Sequence, residues 1–178
     1  MLSSKELLNN LTGGDRRSIG QSNQVAVLVL RRPALFPQLI QGLWSPDPLI
    51  RMRAADAAEK VSLRRPDLLL PFKAKLLRLL DEATQQELRW HLAQIIPRLR
   101  LSKTDRLRAA SVFRLYLSDQ SSIVKTSAMQ AIADLARIDD ELMPEAKDLL
   151  TAATKVGTAA MRARGRKLLR QLERSPLG

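Results

Sequence analysis

Cysteine is absent from this 178-residue chain, and histidine occurs once. Without cysteine, disulfide bonds and thiolate metal sites are excluded. A metal site at the single histidine, His91, would need carboxylates at ligand spacing, and no such spacing is present. We therefore expect neither a metal nor any other cofactor. Aromatic residues make up only 3% of the chain and hydrophobic residues 45%, so aliphatic side chains must supply most of the core.

Long apolar runs are also missing. No stretch approaches the roughly 18 uninterrupted apolar residues of a membrane span. Residues 1–11 are too polar for a signal peptide. We expect a soluble, cytoplasmic protein without a membrane span. The length suits a single domain over residues 1–178.

Positive charge is abundant, with a formal net charge of +12 at pH 7. Such a balance is compatible with a polyanionic partner: nucleic acid, an acidic protein or an anionic membrane surface. Charge alone does not choose among these partners.

An internal repeat is the clearest pattern in the chain. An apolar residue followed by a base recurs at intervals of 38, 36 and 37 residues, at Ile50-Arg51, Leu88-Arg89, Val124-Lys125 and Met161-Arg162. Small or apolar residues follow each apolar residue at offsets of 4, 7, 8 and 11. These offsets define one face of a helix with 3.6 residues per turn. Four copies of one amphipathic helix indicate an all-α repeat protein.

A second helix precedes each of these signature helices, and the two form one repeat. The predicted first helices are Pro33–Leu43, Pro66–Leu80, Lys103–Leu117 and Asp140–Ala153. Pro37, Pro71 and Pro144 fall in the early turns of three of them and predict a kink there. The predicted repeats are residues 33–63, 66–101, 103–138 and 140–174, preceded by a divergent helix pair over residues 1–32.

Acidic residues mark the expected starts of the helices. Asp47, Asp81 and Asp119 precede the second helices of the first three repeats. Because an Asp side chain accepts a hydrogen bond from an unpaired helix amide, we expect these residues to act as caps.

A helix pair of about 37 residues, with a proline in the first helix and Asp…Val/Ile-Arg-x-x-Ala opening the second, resembles the HEAT repeat. The best match is Asp47-Pro-Leu-Ile-Arg51 with Ala54, while the fourth repeat lacks the Asp and has Gly165 in place of Ala. The resemblance implies a right-handed α-solenoid of antiparallel helix pairs, an α-α superhelix. It also implies that the signature bases form a structural ladder with Asp residues of neighbouring repeats. These bases are Arg51, Arg89, Lys125 and Arg162.

The second helix lines the concave face in such solenoids, so offsets 2, 5, 6 and 9 form the candidate binding surface. These positions are acidic in the first repeat, neutral in the middle two and basic only in the fourth. A groove that follows a phosphate backbone should be basic in every repeat, so the pattern favours a protein or peptide partner. The predicted partner-binding residues are Met52, Trp90, Gln94, Gln130, Arg166 and Arg170.

A cluster of bases follows the end of each second helix. Because those ends are expected to stack, we predict a basic rim of Arg31, Arg32, Arg64, Arg65, Arg98 and Arg100. Arg137, at the end of the next second helix, makes a fourth cationic position. Bases at helix C-termini complement the helix dipole, and four such positions of one sign also attract an acidic or phosphate-bearing partner. The sequence leaves both interpretations open.

Two tryptophans and the histidine are the remaining unusual residues. Trp90 is either an interface anchor or a filler of a gap against the neighbouring repeat. His91 has no carboxylate at a readable spacing and is expected to be structural or merely exposed. Trp44 ends a first helix and is expected to be a packing residue.

No glycine-rich phosphate loop, nucleophile–base pair or metal spacing is present. We therefore expect a non-enzyme without a small-molecule substrate: a scaffold or adaptor that binds another macromolecule, namely an acidic protein or peptide. The alternative is a nucleic-acid-binding protein related to the HEAT-like bacterial alkylpurine DNA glycosylases. The chain is similar to these in its charge, its repeat type and a groove-facing Trp90, with Asp56 and Glu59 as the only nearby carboxylates.

Overall fold

Helices account for all regular secondary structure in residues 4–14 and 18–174, which are the residues that the computed structural model describes. The α-helices are α1 Ser4–Asn9, α2 Ser22–Arg31, α3 Phe36–Gln41, α4 Pro48–Arg64, α5 Lys73–Glu82, α6 Gln86–Ile95, α7 Lys103–Tyr116, α8 Ser122–Ala136, α9 Met143–Val156 and α10 Ala159–Arg174. The all-α prediction is confirmed. Residues 1–3, 15–17 and 175–178 of the single predicted domain, and with them part of the predicted N-terminal pair, lie outside the described residues.

The even-numbered helices α2, α4, α6, α8 and α10 pack in chain order, each against the next. The predicted apolar stripe faces inward on α4, α6, α8 and α10, where every stripe residue is buried except Ile50 and Leu169, which are partly exposed. Many of the buried stripe positions are Ala, whose short side chain lets neighbouring helices approach closely. The helical periodicity read from the sequence is therefore confirmed.

Hydrogen bonds between successive even-numbered helices share a nearly constant sequence separation. It is 34 residues for Ser22 and Asp56, 32 for Glu59 and His91, and 34 for Gln130 and Arg164. A separation close to the repeat period means that neighbouring helices run in the same direction. Their C-terminal ends consequently lie along one edge of the molecule.

The odd-numbered helices pack beside the even-numbered ones. Helix α3 contacts α4, α5 contacts α6 and α7, α7 contacts α8, and α9 contacts α8 and α10. Where the sequence predicts a kink at the prolines, a 3-10 segment passes into an α-helix: Pro37 and Pro144 occupy the first turns of α3 and α9, and Pro71 lies in the 3-10 segment Pro66–Phe72. Proline lacks an N–H, so it is tolerated where a helix amide has no partner. The bend becomes a junction between a 3-10 turn and an α-helix.

Helix capping follows the prediction at one of three positions. The Asp47 carboxylate accepts a hydrogen bond from the Leu49 amide at 2.8 Å and caps α4. At α8 the cap is Ser121, and Asp119 instead accepts from the Ser121 amide at 2.8 Å. Asp81 lies inside α5 and pairs with Arg108. Asp119 also pairs with Arg89, so both of these carboxylates bond to arginines of neighbouring repeats.

Two of the four signature bases bond to the next repeat, and only Arg89 has the Asp partner that was predicted. Arg89 pairs with Asp119 at 2.6 Å, and Arg51 donates to the Gln85 side-chain oxygen at 2.9 Å. Arg162 bonds the Gly157 carbonyl of its own repeat, because no further helix follows α10 among the described residues. Lys125 makes no side-chain hydrogen bond or ion pair with the described part of the chain.

Another ladder, which the sequence pattern did not reveal, joins the odd-numbered helices. Lys73 pairs with Asp105 at 2.8 Å, and Arg106 pairs with Asp139 at 2.7 Å. The hydrogen bond from Lys73 lowers the pKa of Asp105, and the bond from Arg106 lowers the pKa of Asp139. The paired residues are 32 and 33 residues apart in the sequence, so these pairs depend on the stacking of repeats.

A buried arginine holds the N-terminal segment against α4. Arg53 is 1% exposed, and its guanidinium donates to the carbonyls of Leu11 and Thr12 at 3.0 and 3.2 Å and to that of Ser18 at 3.1 Å. Gly20 adopts a φ of +54°, and a Cβ placed there would lie 2.8 Å from the guanidinium carbon. Glycine suits this position because its φ lies in the left-handed region and because a Cβ would require the guanidinium to move.

Tyr116 provides a test of the burial of α7 against α5. Its hydroxyl donates to the Leu80 carbonyl at 2.9 Å, and burial raises the pKa of Tyr116 to about 12. The folded pKa lies above the unfolded value near 10, so ionisation favours unfolding and stability is lost as pH rises above about 10. Since the chain has one tyrosine, tyrosinate absorbance at 295 nm reports this group alone. We expect a midpoint near 12 in the native protein and near 10 in urea; coincident midpoints would contradict the burial.

Candidate functional site

Helices α4, α6 and α8 enclose a cleft of about 360 Å³ near their C-terminal ends. The lining residues come from the ends of the three helices and the turns that follow: Leu63, Gln94, Pro97, Arg98, Gln130, Asp134, Arg137 and Ile138. Because the helices run in the same direction, residues at equivalent repeat positions meet in this one cleft. Its volume falls in the usual range for ligand sites, about 300–1,000 Å³.

The Glu59 carboxylate organises one wall of the cleft. It lies 2.6 Å from the His91 Nδ1 atom and accepts a hydrogen bond from the Gln94 side-chain amide at 3.1 Å. Arg98 reaches the same residue, donating to the Glu59 backbone carbonyl at 2.6 Å and to the Ser62 hydroxyl at 2.8 Å. Burial lowers the pKa of Arg98, and the Glu59 charge opposes that shift. The contacts fix Gln94 and Arg98 in place.

The opposite wall is built around Asp134. Its carboxylate accepts from the Gln130 side-chain amide at 3.0 Å, and Arg137 lies 3.4 Å away. Gln130 in turn accepts from Arg164 of α10 at 3.0 Å. Burial raises the pKa of Asp134, although Gln130 and three nearby arginines favour its ionised form. The wall is polar and connected to the next helix.

Apolar side chains stand at the ends of the cleft. Leu63 is 66% exposed and Ile138 is 57% exposed, and both line it. Pro97 lies between them in the sequence and also lines it. Apolar side chains beside amide and charged groups that are held in place can bind a segment that has both an apolar side chain and polar backbone atoms.

The predicted partner-binding residues do not all share this site. The cleft contains Gln94 and Gln130. Trp90 is half-buried and packs against the core. Arg166 and Arg170 are exposed on α10 and do not line the cleft.

Met52 is the member of that set that the structure contradicts, since it is only 5% exposed. Ala55, Ala93 and Met129, which were also expected to face outward, are buried too. Each interior even-numbered helix is flanked by another on both sides, so only a narrow strip remains accessible. A helical wheel drawn for a single helix assigns residues on its flanks to the exposed face, although neighbouring helices cover them.

The predicted basic rim is reduced by contacts within the chain. Arg31, Arg32, Arg64 and Arg100 are exposed and make no side-chain hydrogen bond or ion pair with the described residues. Arg65 instead pairs with Asp67 at 2.7 Å, which raises the pKa of Arg65 and lowers that of Asp67. Arg98 turns inward to Glu59 rather than to solvent, because a carboxylate on the preceding helix is within reach.

Several residues of the site were not predicted from the sequence. His91 is buried and does have a carboxylate partner, Glu59, which lies 32 residues earlier and therefore at no recognisable local spacing. Asp134, Leu63 and Ile138 were assigned no role. The sequence did contain a signal for Leu63 and Ile138. Each is an apolar residue outside the buried stripe, next to an arginine at a helix end (Arg64 and Arg137), and such a residue is expected to be exposed.

Residues 4–14 and 18–174 contain no group of three or more His, Asp or Glu side chains able to hold a metal ion. Within the same ranges, no helix is both long and apolar enough to cross a membrane.

No protein-family model matches the chain, and no curated protein is significantly similar to it.

Proposed function

We propose that this protein is a non-catalytic scaffold, a right-handed α-solenoid of HEAT-like repeats that binds another protein through the face formed by its even-numbered helices. The observation that carries the proposal is the cleft between α4, α6 and α8, which joins Gln94 and Gln130 to the exposed Leu63 and Ile138. The solenoid is supported by the parallel stacking of the even-numbered helices and by the interrepeat bond of Arg89 to Asp119.

An acidic segment is the partner that fits this face. Arg64 is the last residue of α4 and Arg100 lies shortly after α6; both are exposed, and neither makes a side-chain hydrogen bond or ion pair with the described residues. Unpaired cations at a rim accelerate the encounter with an acidic partner. The apolar ends of the cleft supply the area that such a partner would bury.

The non-catalytic part of the proposal rests on the state of the candidate carboxylates. Asp56 is bound to Ser22 and Lys60, and Glu59 is bound to His91 and Gln94. A catalytic acid or base must reach a substrate, whereas these groups are engaged in holding neighbouring helices together.

The double substitution Leu63→Ser and Ile138→Ser tests the proposal. Both side chains are mostly exposed, so folding should be retained while the apolar contact with a partner is lost. We expect affinity for a partner, captured from nuclease-treated extract and then purified, to fall about tenfold or more, since loss of an interface anchor costs about 2 kcal/mol.

Val156→Ser is the matched control, because Val156 is 87% exposed and lies outside the cleft. It should leave affinity unchanged. Equal affinity of the double variant and the wild type, measured by isothermal titration calorimetry, would remove the cleft from the proposed function.

Nucleic-acid binding is a second candidate. It is favoured by the exposed cations of α10 and by the exposed arginines of the predicted basic rim, Arg31, Arg32, Arg64 and Arg100. In a titration with duplex DNA and with RNA at two salt concentrations, a phosphate contact from Arg64 predicts that Arg64→Gln reduces the slope of log affinity against log salt by about 0.9. Arg65→Gln should change it less, because Asp67 already neutralises that side chain. Equal slopes for wild type and Arg64→Gln would exclude Arg64 as a phosphate contact.

A further inference from the structure

A second cleft, of about 330 Å³, lies between α3 and α5, in the layer of odd-numbered helices. Its apolar lining includes Ile40, Trp44 and Phe72. The Phe72 ring packs edge-on against Phe36, with centroids 6.0 Å apart, which holds this wall in place. Trp44, expected to be a packing residue, is 42% exposed. The cleft therefore offers an accessible aromatic surface in a chain with few aromatic residues.

Two cations, Lys75 and Arg78, complete the lining. They are exposed and make no side-chain hydrogen bond or ion pair with the described residues. One turn apart on α5, they lie on the same side of the helix. None of the described residues that line the cleft is acidic.

The other cations of α5 and α7 are all paired. The pairs are Lys73 with Asp105, Lys103 with Glu141, Arg106 with Asp139, Arg108 with Asp81, and Arg114 with Glu145. The carboxylates come from neighbouring repeats. Residues 33–44, which face α5 from the preceding repeat, contain no charged residue, so Lys75 and Arg78 meet an apolar aromatic wall.

We propose that this cleft binds a small aromatic anion. The ring of the ligand lies against Trp44 and Phe72, and its carboxylate, sulfate or phosphate group takes the place of the missing carboxylates at Lys75 and Arg78. The cleft volume is in the range of small-ligand sites. A long polyanion fits less well, because the cations of the next helix, among them Arg108 and Arg114, are already paired with carboxylates.

The site is independent of the protein-binding face and needs no catalytic group. The absence of enzyme motifs led us to expect no small-molecule substrate, but that absence says nothing about a bound ligand. Loss of either site would leave the other intact.

The test uses naphthalene-2-carboxylate and its neutral counterpart, naphthalene-2-carboxamide, as matched probes. The chain has two tryptophans, so the two indole N–H resonances in a ¹H–¹⁵N spectrum report this cleft and the Trp90 region separately. Trp44→Phe assigns them. We expect the carboxylate to shift the Trp44 resonance in a saturable manner, with little effect on Trp90, and the amide to bind more weakly.

Charge removal should weaken carboxylate binding and leave amide binding unchanged. Lys75→Gln and Arg78→Gln should each lower the affinity about two- to fivefold, as for other exposed ion pairs. Lys147→Gln, at an exposed cation of α9 outside the cleft, is the control and should have no effect.

Three results would overturn the proposal. The first is a Trp44 resonance that does not respond to the carboxylate. The second is equal binding of the carboxylate and the amide, or equal binding by wild type and the Lys75→Gln, Arg78→Gln double variant, which would mean that the anion is not recognised. The third is a shift of Trp44 by the capped peptide Glu-Glu-Phe-Glu-Glu but not by naphthalene-2-carboxylate, which would make the cleft a peptide-docking site.

Discussion

Replacing Arg53 with methionine is expected to lower the free energy of unfolding by about 3 kcal/mol or more. The side chain is 1% exposed and donates to the backbone carbonyls of Leu11, Thr12 and Ser18. Methionine fills the volume but leaves those carbonyls without their donor. Burial of an unsatisfied polar group costs its full desolvation free energy, so the loss should exceed that of an ordinary surface contact.

Urea denaturation of the Arg53→Met variant measures this loss, and native-state hydrogen exchange locates it. Protection should fall first in α1 and α2, because Arg53 connects their linking segment to α4. Arg64→Met is the control, since it makes the same replacement at an exposed position of the same helix. If the two variants unfold at the same urea concentration, the arginine does not hold the N-terminal segment.

Replacing Glu59 with leucine is expected to cost about 2–3 kcal/mol and to weaken the protein-binding face. The carboxylate joins α4 to α6 through His91 and Gln94, and its charge balances the partly buried Arg98. Leucine removes these acceptors at once and leaves the cation with less compensation. Glu59→Gln keeps one acceptor oxygen, so we expect a smaller loss.

A double-mutant cycle of Glu59→Leu with Arg98→Met separates the charge interaction from the rest. We expect a coupling free energy of about 1 kcal/mol between the two residues, because their charged groups are only 3.8 Å apart and both side chains are partly buried. Urea denaturation of the four proteins gives this value. Strict additivity would mean that Arg98 is held by the Glu59 backbone carbonyl and the Ser62 hydroxyl alone.

Part of the candidate site could be predicted from the sequence. Gln94 and Gln130 occupy equivalent positions in two neighbouring repeats, 36 residues apart. Once the period is known, their common orientation follows from helix geometry. Met52 fails under the same rule because α2 and α6 cover both flanks of α4. Accessibility on such a surface depends on two neighbours as well as on the helix itself.

The electrostatic character of the site could not be predicted in the same way. Arg98 and Arg65 look alike in the sequence, since each follows the end of an even-numbered helix. In the folded protein Arg98 contacts Glu59, whereas Arg65 pairs with Asp67 two residues away. Only the second interaction lies within the range of local sequence patterns.

The sequence by itself determined the helices, their order and the buried stripe, because these depend on side chains within one or two turns and on a period of about 37 residues. The tertiary structure decided which polar groups remain available. His91 meets Glu59 across 32 residues, Asp139 meets Arg106 across 33, and Lys75 and Arg78 face a segment without carboxylates. A side chain finds its partners in space, and in this stacked arrangement those partners come from the neighbouring repeats.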